Sequence, residues 1–121
     1  MVIGIGVDVV ETDRVRRSCR HRHFVEGIFT SKEQKQFDST LTRAASDFAA
    51  KEATAKALGT GFSEGVEAIQ IEVLRSSNGA PYIELSGEAK DRAEALGITQ
   101  VNVSISNTES MTTAFVVCTN D

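Results

Sequence analysis

The sequence predicts an α+β fold: a mainly antiparallel sheet packed against one long helix and several shorter ones. Three observations carry this. Residues 41–58 contain no Gly or Pro and are rich in Ala, the signature of one long helix. Short stretches of alternating apolar residues recur in the second half of the chain. Two of their connections are turn-like and short, which joins strands as antiparallel hairpins.

The elements follow in order. Residues 2–10 are β-branched and apolar apart from glycine and Asp8, and read as a buried strand. Thr12 or Asp13 caps a short helix to about Arg20. Thr30-Ser31-Lys32-Glu33 has capping-box spacing and opens another helix. Leu41 to Leu58 is the long helix, stopped by Gly59-Thr60-Gly61. Val66–Leu74 alternates as a strand, Ser77-Asn78-Gly79 is a hairpin turn, and Tyr82–Ser86 is the returning strand. Glu88–Leu96 is a short amphipathic helix ended by Gly97. Gln100–Ser106 and Met111–Cys118 are the last strand pair, with Val101, Val103 and Ile105 on one face. The predicted order is β-α-α-α-β-β-α-β-β.

A chain of 121 residues fits one domain, large enough for a core but too small for a deep private pocket. No apolar run is long enough to span a membrane, and the first residues lack the basic region of a signal peptide. Cys19 and Cys118 lie far apart with no zinc spacing and read as reduced thiols of a cytoplasmic protein. The net charge of −4 argues against a nucleic-acid binder. Arg14, Arg16, Arg17, Arg20 and Arg22 nevertheless fall together with no acid among them, which is either a solvated helix face or a patch for an anionic partner.

Three residues stand out chemically. Asp8 is an acid in an apolar strand, costly to bury unless paired or bound to a cation. Glu52 continues the stripe of Ala45, Phe48 and Ala49 on the long helix, and Lys56 lies one turn beyond it. Glu52 and Lys56 read either as an ordinary i,i+4 ion pair or as two charges aimed at one anionic ligand. Two carboxylates from different elements suit Mg²⁺, which takes one or two protein carboxylates plus waters and phosphate oxygens. Gly4-Ile5-Gly6 is not a dinucleotide fingerprint, and Gly59-Thr60-Gly61 is not a Walker loop. The second tripeptide either terminates the helix or cradles a phosphate through its N–H groups.

Together these segments resemble the holo-acyl-carrier-protein synthase family, the short 4′-phosphopantetheinyl transferases. Gly4-Ile5-Gly6-Val7-Asp8 resembles its G-x-G-x-D motif. Residues 48–61, from Phe48-Ala49-Ala50-Lys51-Glu52-Ala53 to Gly59-Thr60-Gly61, resemble F-A-x-K-E-A-x-x-K-A-x-G-T-G. Ser104-Ile105-Ser106-Asn107-Thr108 is similar to S-I-S-H-T, and Gly79-Ala80-Pro81 to the G-x-P hairpin. The resemblance implies the 4′-phosphopantetheinyl transferase fold, Mg²⁺ held by Asp8 and Glu52, and coenzyme A as substrate. It places Lys56 at the phosphates and Gly59, Thr60, Gly61, Pro81, Ser106, Asn107 and Thr108 along the coenzyme. It gives Arg14, and with it Arg17, an acyl carrier protein as partner, and it implies a homotrimer with sites at subunit interfaces.

In the implied reaction a carrier-protein serine attacks the β-phosphate of coenzyme A, with Glu52 or a metal-bound water as base. Mg²⁺ and Lys56 stabilise the leaving 3′,5′-ADP. Three residues depart from the pattern: Asn107 where histidine is usual, Asp47 where arginine is common, and Ala80 in place of a basic residue. Each removes or reverses a phosphate contact. They motivate the alternative of a non-catalytic trimer that binds a nucleotide or carrier protein. A nucleic-acid module built on the arginines is the remaining alternative, disfavoured by the lack of interleaved aromatics.

Overall fold

The computed structural model describes residues 1–121. The elements are β1 (Val2–Glu11), α1 (Thr12–Ser18), α2 (Arg22–Ile28), α3 (Ser31–Gln34), α4 (Thr42–Ala57), a 3₁₀ turn (Ala68–Gln70), β2 (Ile71–Arg75), β3 (Pro81–Leu85), α5 (Gly87–Leu96), β4 (Gln100–Asn107) and β5 (Met111–Thr119). The strands form two antiparallel sheets. One has the order β1-β5-β4 and the other is the β2-β3 hairpin. The α+β class holds, and the sheet is divided because β3 and β4 lie side by side without ladder hydrogen bonds.

Helix α4 lies across β1 and β5 and forms the spine of the core. The apolar part of its buried surface is alanine, including Ala45, Ala49, Ala50, Ala53 and Ala57. Small side chains bring the helix backbone unusually near the sheet. That approach explains the two glycines of β1. A Cβ on Gly4 or Gly6 would sit well inside 3.0 Å of the Ala57 or Ala53 carbonyl oxygen. The Gly-x-Gly pattern is therefore a packing device, since neither neighbour is a flexible side chain that can move aside. Gly6→Ala is expected to cost about 3 kcal/mol of unfolding free energy, measured in urea, because the clash is with backbone.

Four features depart from the sequence reading. Helix α2 is not expected from the sequence, because Gly27 lies within it and no side chain caps its start. It is held by aromatic packing, with Phe24 5.8 Å from Phe48 and 6.1 Å from Phe29 between ring centroids. The strand expected from Val66 begins only at Ile71, since residues 68–70 turn as a 3₁₀ helix under a Glu67–Gln70 capping box. The capping box at Thr30 is present, but its helix α3 is a single turn. Strand β1 is buried on one face only. Asp8 and Gly6 face α4, while Ile5, Val7 and Val9 are exposed, and Phe115 of β5 is exposed opposite Val7.

Beneath the sheets lies a buried ion pair. Glu33 of α3 and Lys51 of α4 are both fully buried and meet at 2.9 Å. The Lys51 ammonium also donates to the Ala68 carbonyl at 2.9 Å and to that of Ile71 at 2.6 Å. Glu33 accepts in turn from the Thr30 and Val73 N–H groups, each at 2.8 Å. One capping carboxylate thus ties α3, α4, the 3₁₀ turn and β2 together.

Candidate active site

The strand–helix contact that excludes side chains at Gly4 and Gly6 brings Asp8 and Lys56 together one step further along β1. The Lys56 ammonium donates to Asp8 Oδ1 and to the Val7 carbonyl, both at 3.1 Å. Lys56 therefore reaches across to β1, and the i,i+4 ion pair with Glu52 is not the arrangement present. The other carboxylate oxygen, Asp8 Oδ2, is buried without a donor.

Glu52 projects from α4 into the same place. It shares a cavity of about 270 Å³ with Asp8, Arg14, Val15 and Phe48. Burial, and then the neighbouring Asp8 carboxylate, push the Glu52 carboxyl above its ordinary value of 4.5, while Lys56 pulls the other way. Two acids facing each other, one with an orphaned oxygen, make a site short of positive charge. Asp8 and Glu52 are the residues able to hold a metal there; Glu11 also lines the cavity but does not form a three-carboxylate group with them.

Arg14 lies at this cavity on the exposed side of α1. Arg17 is exposed on the same helix. Arg14, Arg17 and Arg20 enter no ion pair. Arg16 is engaged by Asp13 at 2.7 Å and by the Thr40 carbonyl at 2.7 Å, and Arg22 by Glu26 at 2.8 Å. The run thus divides into two residues used within the fold and three that are unpaired.

A second cavity of about 570 Å³ is polar and contains Pro81 and Asn107 together with Arg43, Arg75, Ser46 and Asp38. Asn107 is fixed by its amide nitrogen, which donates to Thr112 Oγ1 at 2.9 Å and Ser46 Oγ at 3.1 Å. Arg43 and Arg75 were not singled out in the sequence; an arginine outside any motif gives no signal until the fold places it. Ser106 and Thr108 do not line this cavity. The Thr108 hydroxyl caps the β4–β5 turn by accepting from the Met111 N–H at 3.1 Å. Gly59 and Gly61 take positive φ, and their N–H groups already bond the Lys56 and Ala55 carbonyls at 3.0 Å. Two of the three N–H groups proposed as a phosphate cradle are therefore engaged in ending α4, the terminator reading of this loop.

The model of the 4′-phosphopantetheinyl transferase superfamily matches residues 4–114, spanning both cavities. The chain belongs to this family. A holo-[acyl-carrier-protein] synthase of Solidesulfovibrio magneticus is 45% identical over 97% of the chain and 98% of its own length. One from Lachnoclostridium phytofermentans is 41% identical over 97% and 95%. Among solved structures, the holo-[acyl-carrier-protein] synthase of Neisseria meningitidis superposes with a TM-score of 0.87 at 34% identity, covering 98% of this chain and 99% of that one. The Helicobacter pylori synthase in complex with coenzyme A gives 0.83 at 29% identity, covering 95% and 99%.

Proposed function

We propose that the chain transfers 4′-phosphopantetheine from coenzyme A to a serine of an apo acyl carrier protein, giving holo carrier protein and 3′,5′-ADP. The observation that carries this reading is the cluster of Asp8, Glu52 and Lys56 in a chain whose full-length relatives are holo-acyl-carrier-protein synthases. A role in fatty acid or polyketide synthesis inside the cytoplasm follows from that reaction. No helix is long and apolar enough to cross a membrane.

Asp8 and Glu52 fit Mg²⁺, since the orphaned Asp8 oxygen and the raised Glu52 carboxyl both favour an added cation. When bound, the ion would neutralise pyrophosphate charge as the P–O bond breaks. The chain's own groups do the rest. The serine oxygen attacks the phosphorus that bears pantetheine, its proton passes to Glu52, and the electron pair of the broken P–O bond leaves with 3′,5′-ADP. Glu52 is placed for this by its position in the cavity beside Asp8, with water as the alternative acceptor of the proton. Lys56, half exposed beside Asp8, supplies positive charge to the leaving phosphate. Pro81, Asn107, Arg43 and Arg75 line the seat of the nucleotide end. The unpaired Arg14 and Arg17 face the carrier protein's acids.

A homotrimer completes the site. Ile5, Val7, Val9 and Phe115 form an exposed apolar face that a second copy would cover. The polar cavity uses Thr42, Arg43 and Ser46 of α4, while the carboxylate cavity uses Phe48 and Glu52 on another side of that helix. One coenzyme spanning both kinds of wall is best served by two chains. Light scattering should give three times the chain mass.

Protons compete with the metal at Glu52. Below its raised pKa the carboxyl is protonated and cannot ligate, so Mg²⁺ affinity rises with pH through a midpoint above 4.5. Calorimetric titrations from pH 4 to 8 should show binding that weakens toward acid, by up to about tenfold per pH unit below that midpoint. Affinity that is flat across the range would contradict the paired-carboxylate site. The reaction is tested by chromatography of 3′,5′-ADP released from coenzyme A. Release should require both the carrier protein and Mg²⁺; release without a carrier would indicate hydrolysis instead. Coenzyme binding with no release would favour the non-catalytic trimer.

A further inference from the structure

We propose that Asp47 is a positioning residue: ionised, it pins the Arg75 guanidinium in the wall of the polar cavity, and on taking up a proton it frees that guanidinium for an anionic ligand. This rests on reading that cavity as the seat of the coenzyme's phosphorylated nucleotide end. The geometry is specific to this chain's acid at position 47. Asp47 is fully buried on α4, and its Oδ1 accepts from Arg75 Nη1 at 2.7 Å. Arg75 comes from β2, is 10% exposed, and lines the cavity together with Arg43. Asp47 Oδ2 is buried with no donor, so a proton has a vacant place to sit.

Three charged groups act on Asp47: Arg75 from β2, Glu33 from α3 and Lys51 from α4. Glu33 and Lys51 are locked to one another and to backbone groups. Asp47 is the member of this group with an unused oxygen. Burial pushes its carboxyl up to about 7; Arg75 and Lys51 pull down and Glu33 adds to the rise. Of the other cavity groups, Asp38 is held below the ordinary carboxylate value by the Thr40 hydroxyl and N–H, and so stays ionised. With Asp47 ionised, the guanidiniums of Arg43 and Arg75 are matched by two carboxylates. With Asp47 protonated, one positive charge is left to the cavity.

The test compares wild type with Asp47→Asn, which keeps the shape and an acceptor for Arg75 without the charge. KM for coenzyme A and kcat are measured from pH 6 to 8.5, with the Kd of 3′,5′-ADP by calorimetry over the same range. Titration of the ligand's own phosphates cancels in the ratio of the two proteins. The wild-type to Asp47→Asn ratio of KM, and of Kd, should be near one at pH 6 and rise roughly fivefold by pH 8.5. The kcat ratio should not follow pH. In an Arg75→Gln background the pH dependence should vanish. A ratio independent of pH, or one that falls as pH rises, overturns the inference while leaving the coenzyme reading intact. If neither protein transfers the group or binds 3′,5′-ADP, both fall.

Discussion

Asp8→Ala and Glu52→Ala should each lower the transfer rate on the order of a thousandfold while leaving the fold intact. The rate loss follows from the shared cavity: each substitution removes one of the two carboxylates that face each other there. The intact fold follows from the cost of keeping them. Asp8 Oδ2 has no donor, and Glu52 is disfavoured as a charge by burial and by Asp8 itself. What Asp8→Ala loses is the contact with half-exposed Lys56, and such partly solvated pairs contribute about 0–1 kcal/mol. Thermal midpoints of both variants should match or exceed wild type. Inactive variants that were also unfolded would mean that the acids are structural, and near-normal rates would remove the chemistry proposed for them.

Lys51→Met should do the opposite, destabilising the chain by about 3–5 kcal/mol, measured by urea unfolding. All three ammonium donors are in use, on Glu33, Ala68 and Ile71, and neither charged partner reaches solvent. Methionine fills most of the volume but leaves Glu33 as a buried uncompensated charge and strips two carbonyls of their donor. A deficit under 1 kcal/mol would show that Glu33 finds another partner.

These two neighbours, Lys51 and Glu52, show what the sequence can and cannot convey. Both lie in the segment that carries the family resemblance, and helix α4 around them was legible from alanine content and the absence of Gly and Pro. Glu52 stood out because it extends an apolar stripe. Lys51 did not, because its partners lie 17, 18 and 20 residues away and no local period reports them. The same limit hid Arg75, which meets Asp47 across 28 residues. Asp47 itself was visible as a departure from the family pattern, but not as one half of an ion pair. Strand β1 reads as buried on both faces because an apolar run does not report whether its second face is covered. Helix α2 was missed because Phe24 holds it by packing on Phe48, a tertiary effect that overrides weak propensity.

Intact-mass spectrometry reads the transfer itself, on an apo acyl carrier protein incubated with the chain, coenzyme A and Mg²⁺, beside a matched sample containing EDTA. The carrier protein should gain the mass of one phosphopantetheine group, and the gain should disappear with EDTA. No gain on any of several carrier proteins, from a folded chain that still binds coenzyme A, would contradict the transferase reading.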